Sequence, residues 1–139
     1  MRLGAVKAHL DSVWMWDATA GLPEQGAQAA AACTIENVEA LPAHDNIEHV
    51  VVLGMGGSGI AGDILLASAA PFMAVPAVVV KSYTLPAFVN ENSLVIAVSF
   101  SGNTEETLEA AQETLVAGWS LVAVSGGGAL QELAVSSDR

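Results

Sequence analysis

Cysteine is nearly absent from these 139 residues: Cys33 stands alone. An intrachain disulfide and a cysteine-based metal cluster are thereby excluded, and a reducing, cytoplasmic setting is expected. Basic residues are also scarce, four Lys and Arg against fifteen Asp and Glu, for a formal charge of −11. Such a surface repels nucleic acid and anionic membrane, so neither is expected as a partner. It also repels a phosphorylated ligand at long range. Salt confines that repulsion to about 8–10 Å, so local dipoles at a site can overcome it. Long hydrophobic runs are missing too. The stretch from Ile64 to Val80 is uncharged, but Pro71 and Pro76 interrupt it and it falls short of the ~20 residues that span a bilayer. Lys7, His9 and Asp11 break up the N-terminus, leaving no apolar signal core.

What is abundant is apolar side chain, 53% of residues, enough to fill the core of one globular domain. Leu3, Val6, Leu10 and Val13 recur at helical spacing and predict an amphipathic helix running towards Trp14 and Trp16. Gly21 ends it, Pro23 opens a second helix, and Ala29 to Ala32 continue that helix before a boundary near Pro42. Residues 1–45 therefore read as a helical flank, with its tryptophans as packing residues. From residue 46 the pattern changes to short apolar strands alternating with helices, which predicts an α/β fold with a doubly wound parallel sheet. Strands are expected at Val50 to Leu53, Ala77 to Lys81, Leu94 to Val98 and Leu121 to Val124. Helices are expected at Gly59 to Ala69, Thr104 to Ala117 and Ala129 to Ala134, the second presenting Thr104, Leu108, Ala111 and Leu115 on one face. No fifth strand is visible before Arg139, so the doubly wound unit over 46–139 reads as incomplete at its C-terminus.

Two of the strand-to-helix turns have anion-binding character. Gly54-Met55-Gly56-Gly57-Ser58-Gly59 follows the first strand, and Ser99-Phe100-Ser101-Gly102-Asn103-Thr104 follows the third. A helix N-terminus offers unpaired N–H groups and a partial positive charge, which suit a phosphate. In a doubly wound sheet the two turns converge where the strand order reverses.

The first turn also fits the dinucleotide fingerprint Gly-x-Gly-x-x-Gly through Gly54, Gly56 and Gly59. That fingerprint expects an acidic residue at the end of the next strand, which here reads Val80-Lys81-Ser82. NAD is disfavoured; NADP less so. The three hydroxyls of Ser99, Ser101 and Thr104 favour a compact phosphate monoester instead. A nucleophile elbow fails because Ile60 stands where glycine is required, and neither turn holds the lysine of a triphosphate-binding loop. Helix capping could employ one of Ser99, Ser101, Asn103, Thr104 and Thr107, but not all five. The glycine turn Ser125-Gly126-Gly127-Gly128 after the fourth strand is compatible with either a structural or a binding role.

The segments Val51 to Ile60, Val98 to Thr107 and Ser125 to Gly127 together resemble a sugar isomerase (SIS) domain, and in particular the N-terminal half of bifunctional phosphoglucose/phosphomannose isomerases. The resemblance covers about Val50 to Ala134, with a looser likeness around Trp16-Asp17 and Pro23-Glu24-Gln25. It implies a five-stranded flavodoxin-like sheet, a second SIS domain and a homodimer. It implies that Ser58, Ser99, Ser101 and Thr104 hold the phosphate of glucose, mannose or fructose 6-phosphate and that Gly57 contributes backbone near the sugar; Gly59 and Asn103 are counted with them as phosphate-binding residues. The implied reaction interconverts aldose and ketose phosphates through an enediolate, with neither metal nor cofactor. Members of the family that sense phosphosugars without turning them over form a second reading, and an NADP-binding domain of an oxidoreductase a third.

The resemblance implies that the general base and ring-opening histidine lie in the second half of the family's longer chain, so no catalytic residue is expected among these 139 residues. Glu105 and Glu106 fall in the first turn of a helix, where the dipole favours the carboxylate and weakens it as a base. His49 precedes its strand and so belongs at the far edge of the sheet. His9 and His44 lie in the flank and match no family position.

Overall fold

The computed structural model describes residues 14–137. The chain divides into two compact units between Val38 and Glu39. In the first, α1 (Met15–Ala20) and α2 (Leu22–Ala32) meet at Gly21, which ends one helix and precedes the other, with Pro23 in the first turn of α2. The Gln25 side chain donates back to the carbonyl of Ala18 at 3.2 Å and braces the corner. Trp14 and Trp16 are 73% and 56% exposed, contrary to the packing role expected of them. The helix expected over Leu3 to Val13 lies outside the described residues.

The second unit is built on four strands, β1 (His49–Leu53), β2 (Ala77–Val80), β3 (Ser93–Ser99) and β4 (Ser120–Ser125). All pairs are parallel and the order is β2-β1-β3-β4. Strands rich in Val, Leu and Ala with no interior charge suit a sheet covered on both faces. The helices are α3 (Gly56–Ala69), α4 (Glu105–Val116) and α5 (Gly128–Ser137). Val51, Leu53, Val95 and Ala97 share one face of the sheet and form the core with Ala110, Ala111 and Leu130 of α4 and α5. Val52 and Val79 point to the other face, against Gly62 of α3. A Cβ on Gly62 would stand 2.9 Å from a methyl of Val79, so its absence lets α3 lie close to the strands.

Helices on both faces make the sheet doubly wound, as expected. The reversal falls between β1 and β3: the chain leaves β1 in one direction through α3, then returns past it to β3. That return carries no α-helix. Its Leu85 and Val89 instead pack into the core on the α4 face.

Two helical details differ from expectation. Helix α3 begins at Gly56, inside the glycine turn, so Gly57, Ser58 and Gly59 belong to its first turn. The buried stripe of α4 is Thr107, Ala110, Ala111 and Thr114, one position away from the leucine-based face. Small side chains admit the helix backbone to the sheet, and Leu108 packs at the flank of the core.

Candidate functional site

The two turns meet at the C-terminal edge of the sheet. Because β1 and β3 are neighbours, with Leu53 in register with Ala97, the chain leaves both strands at adjacent points. The Phe100 N–H donates to Ser58 Oγ at 3.3 Å and joins the turns.

Each turn presents unused backbone donors. In α3 the first intrahelical bond is donated by Gly59, to Met55 at 3.1 Å. The N–H groups of Gly56, Gly57 and Ser58 therefore have no intrahelical acceptor, and Met55 supplies no side-chain cap. In α4 the first such bond comes from Leu108, to Thr104 at 2.9 Å. Thr104 occupies the N-cap position but makes no cap bond. Its hydroxyl lies 3.0 Å from Ser99 Oγ. Two adjacent, uncapped helix starts concentrate partial positive charge in one place.

The seven residues expected at the site are thus brought together, but not on equal terms. Ser58 and Thr104 are half-buried, whereas Gly57, Ser101 and Asn103 are exposed. Ser99 is 1% exposed, beneath the surface, with Thr104 as its partner. Gly59 is buried, and a Cβ there would stand 2.7 Å from the carbonyl oxygen of Gly54. It closes the turn without facing a ligand. Ser101 Oγ accepts from Asn103 N–H at 3.2 Å. Both ends of the Asn103 amide are engaged: Nδ2 donates to the Ser101 carbonyl at 3.1 Å and Oδ1 accepts from Ala129 N–H at 3.1 Å. Asn103 thereby caps the start of the neighbouring α5.

The third glycine turn is a brace. Gly126 N–H donates to the Phe100 carbonyl at 3.1 Å and Leu130 N–H to the Gly102 carbonyl at 2.9 Å. Gly102 has φ +66°, and any side chain there would collide with the Gly127 carbonyl. The backbone of Phe100 consequently joins all three turns, while its ring is 88% exposed. Thr107 lies on the buried stripe of α4, and its Oγ1 has no hydrogen-bond partner among the described residues.

Charged groups rim the site. Glu105 and Glu106 occupy the first turn of α4. Tyr83, after β2, has its phenol pushed above the ordinary 10.0 by partial desolvation, by the carboxylates of Glu105, Glu106 and Glu109, and by a hydrogen bond to Glu105. His49, in register with Ser93 at the opposite edge of the sheet, stacks obliquely on Phe88 at 5.2 Å. Sequence reasoning missed one arrangement: Lys81 Nζ meets Asp63 Oδ2 at 2.6 Å, beside the first turn. A lysine directly after a strand that ends next to the glycine turn was its only signal.

Residues 45–133 match the sequence pattern of the SIS domain. The chain belongs to the SIS family. It is 38% identical over 120 residues to a bifunctional phosphoglucose/phosphomannose isomerase of Caldicellulosiruptor bescii, covering 86% of this chain and 35% of that protein. A protein of the same name from Thermoplasma acidophilum is 46% identical over 89 residues, covering 64% of this chain and 28% of its own length. The chain thus spans about a third of these relatives. The solved Vibrio vulnificus NanR protein, complexed with ManNAc-6P, shares the fold of this chain at 21% identity and TM-score 0.54, covering 81% of this chain and 48% of that one. Within the described residues no helix is long and apolar enough to cross a membrane.

Proposed function

We propose that this chain is the phosphosugar-binding N-terminal domain of an aldose–ketose isomerase that interconverts glucose 6-phosphate or mannose 6-phosphate with fructose 6-phosphate. The observation that carries the reading is the Ser58 to Phe100 bond, which joins two hydroxyl-bearing helix starts at a single point. A phosphate seated there accepts bonds from the free N–H groups of Gly57 and Ser58 and from the hydroxyls of Ser58, Ser101 and Thr104. Ser99 orients Thr104 from below, Gly59 shapes the turn, and Asn103 holds the second turn against α5. Hydrogen bonds to a charged group contribute about 1.5–3 kcal/mol each, so a few of them fix the phosphate end of the ligand.

The proton moves between C1 and C2 of the sugar, through an enediolate, at the end remote from the phosphate. The base for that step belongs to a further part of the enzyme: a second SIS domain and a homodimeric partner complete the site. Glu105 and Glu106 serve their helix N-terminus, and His49 stands at the wrong edge of the sheet. This chain binds the phosphosugar and does not turn it over. The dinucleotide alternative is weakened for NAD because β2 is followed by Lys81 and Ser82, with no carboxylate for the ribose hydroxyls.

An NMR titration of the purified chain with fructose 6-phosphate tests the reading, with fructose and NADP as controls. Shifts confined to residues 56–59 and 99–104 with the phosphosugar alone are expected. Saturable binding of NADP, with no response to the phosphosugar, overturns it.

A further inference from the structure

We propose that Lys81 is a further phosphate-binding residue, held beside the site by Asp63 and transferred to the phosphate when ligand enters. The inference rests on the phosphosugar reading and adds a cation to it.

Lys81 is the only Lys or Arg among the described residues, and it stands next to the anion site. The carbonyl of Val80 accepts from Gly54 N–H at 3.2 Å, which fixes the backbone before Lys81 against the first turn. The lysine stem then crosses Gly59: a Cβ on that glycine would stand 2.9 Å from Lys81 Cε. Gly59 thus has a second role, leaving room for the stem across the helix start. The amine continues to Asp63 at 2.6 Å. Asp63 is four residues beyond Gly59, so it lies on the same helix face one turn further from the site. Rotation about the last bonds of the side chain, with Cε still over Gly59, swings Nζ back towards the first turn and its free N–H groups.

The resting contact is easily exchanged. The Lys81 and Asp63 side chains are 45% and 50% exposed, and an ion pair so open to water is held weakly. A phosphate dianion on the helix start carries more charge than one carboxylate and adds the attraction of both helix dipoles. Asp63 in turn shields the lysine while the site is empty.

The chain contains two lysines, Lys7 and Lys81, so carbon-13 labelling at lysine Cε gives two resonances, and Lys81→Met assigns them. Titration with fructose 6-phosphate is expected to move the Lys81 resonance together with the amides of Gly57 and Ser58, while fructose moves neither. Lys81→Met should weaken binding about tenfold, Lys81→Arg should restore most of it, and Asp63→Asn should bind at least as tightly as the unaltered chain. Shifts at Gly57 and Ser58 with the Lys81 resonance unmoved, and unchanged affinity in Lys81→Met, overturn the inference and leave the phosphosugar reading intact. If neither the amides nor the lysine respond, both fall.

Discussion

Ser58 Oγ, on the first turn of one helix, accepts a hydrogen bond of 3.3 Å from the backbone of Phe100, on the turn before another. A single side chain therefore joins two helix N-termini and, in the proposed function, also binds the phosphate. Ser58→Ala removes both contributions. Fructose 6-phosphate affinity is expected to fall by roughly tenfold or more, with the chain still folded by circular dichroism. An unchanged dissociation constant in a calorimetric titration would refute the assignment.

Thr104 and Ser99 form a pair, so their variants should differ in kind. Thr104→Val leaves the 1% exposed Ser99 hydroxyl without its partner, at a cost of about 1–3 kcal/mol in stability on top of the lost ligand contact. Thr104→Ser keeps the bond and should retain both. Urea denaturation beside a binding titration separates the two effects.

Asn103 is expected to affect folding more than binding. Asn103→Ala removes the cap that Oδ1 provides to Ala129 N–H, a loss of about 0.5–2 kcal/mol. A large loss of affinity at unchanged stability would instead make Asn103 a direct ligand contact.

Gly102 and Gly26 offer opposite outcomes for the same substitution. At φ +66°, facing the Gly127 carbonyl, Gly102→Ala should destabilise the chain by more than about 2 kcal/mol. Gly26 lies inside α2 with nothing within 4 Å of an added Cβ, and Gly26→Ala should raise helix stability by about 0.5–1 kcal/mol. Thermal melts of the two variants, compared with the unaltered chain, read the contrast.

Tyr83 is the only tyrosine in the sequence, so phenolate absorbance follows it alone. Its midpoint should lie above 10.0, and Glu105→Gln should lower it by removing one of the causes of the shift. Because the folded-state value is raised, the unfolded chain loses this proton first. The stabilisation is complete below the unfolded value and is lost as pH rises through the folded one. A midpoint at or below the ordinary value would place Tyr83 away from the α4 carboxylates.

Much of this was legible in the sequence because parallel strands buried on both faces carry a strong local signal. Each of the four strands appears within a residue of its expected bounds, as at Val50 to Leu53 against the observed His49–Leu53. The two strand-to-helix turns were equally visible, since clusters of glycine and hydroxyl residues directly after an apolar strand mark a helix start. The orientation of α4 was not. Periodicity pointed to Thr104, Leu108, Ala111 and Leu115; Ala111 is buried as expected, whereas close approach to the sheet set Thr107, Ala110 and Thr114 beside it. Nor could composition assign Asn103 to the start of α5, 26 residues away, or pair Lys81 with Asp63. Such partners are set by tertiary geometry, which a linear pattern does not encode.

The central strand pair also has a kinetic meaning. His49 to Leu53 align with Ser93 to Ala97, more than forty residues later, so the chain must close a long loop before either turn finds the other. The proposed phosphate site cannot form in any species that lacks this pairing. Phosphosugar binding should therefore appear late in refolding, in step with the β1–β3 junction and after the local helices, which makes the ligand a probe of when the sheet becomes continuous.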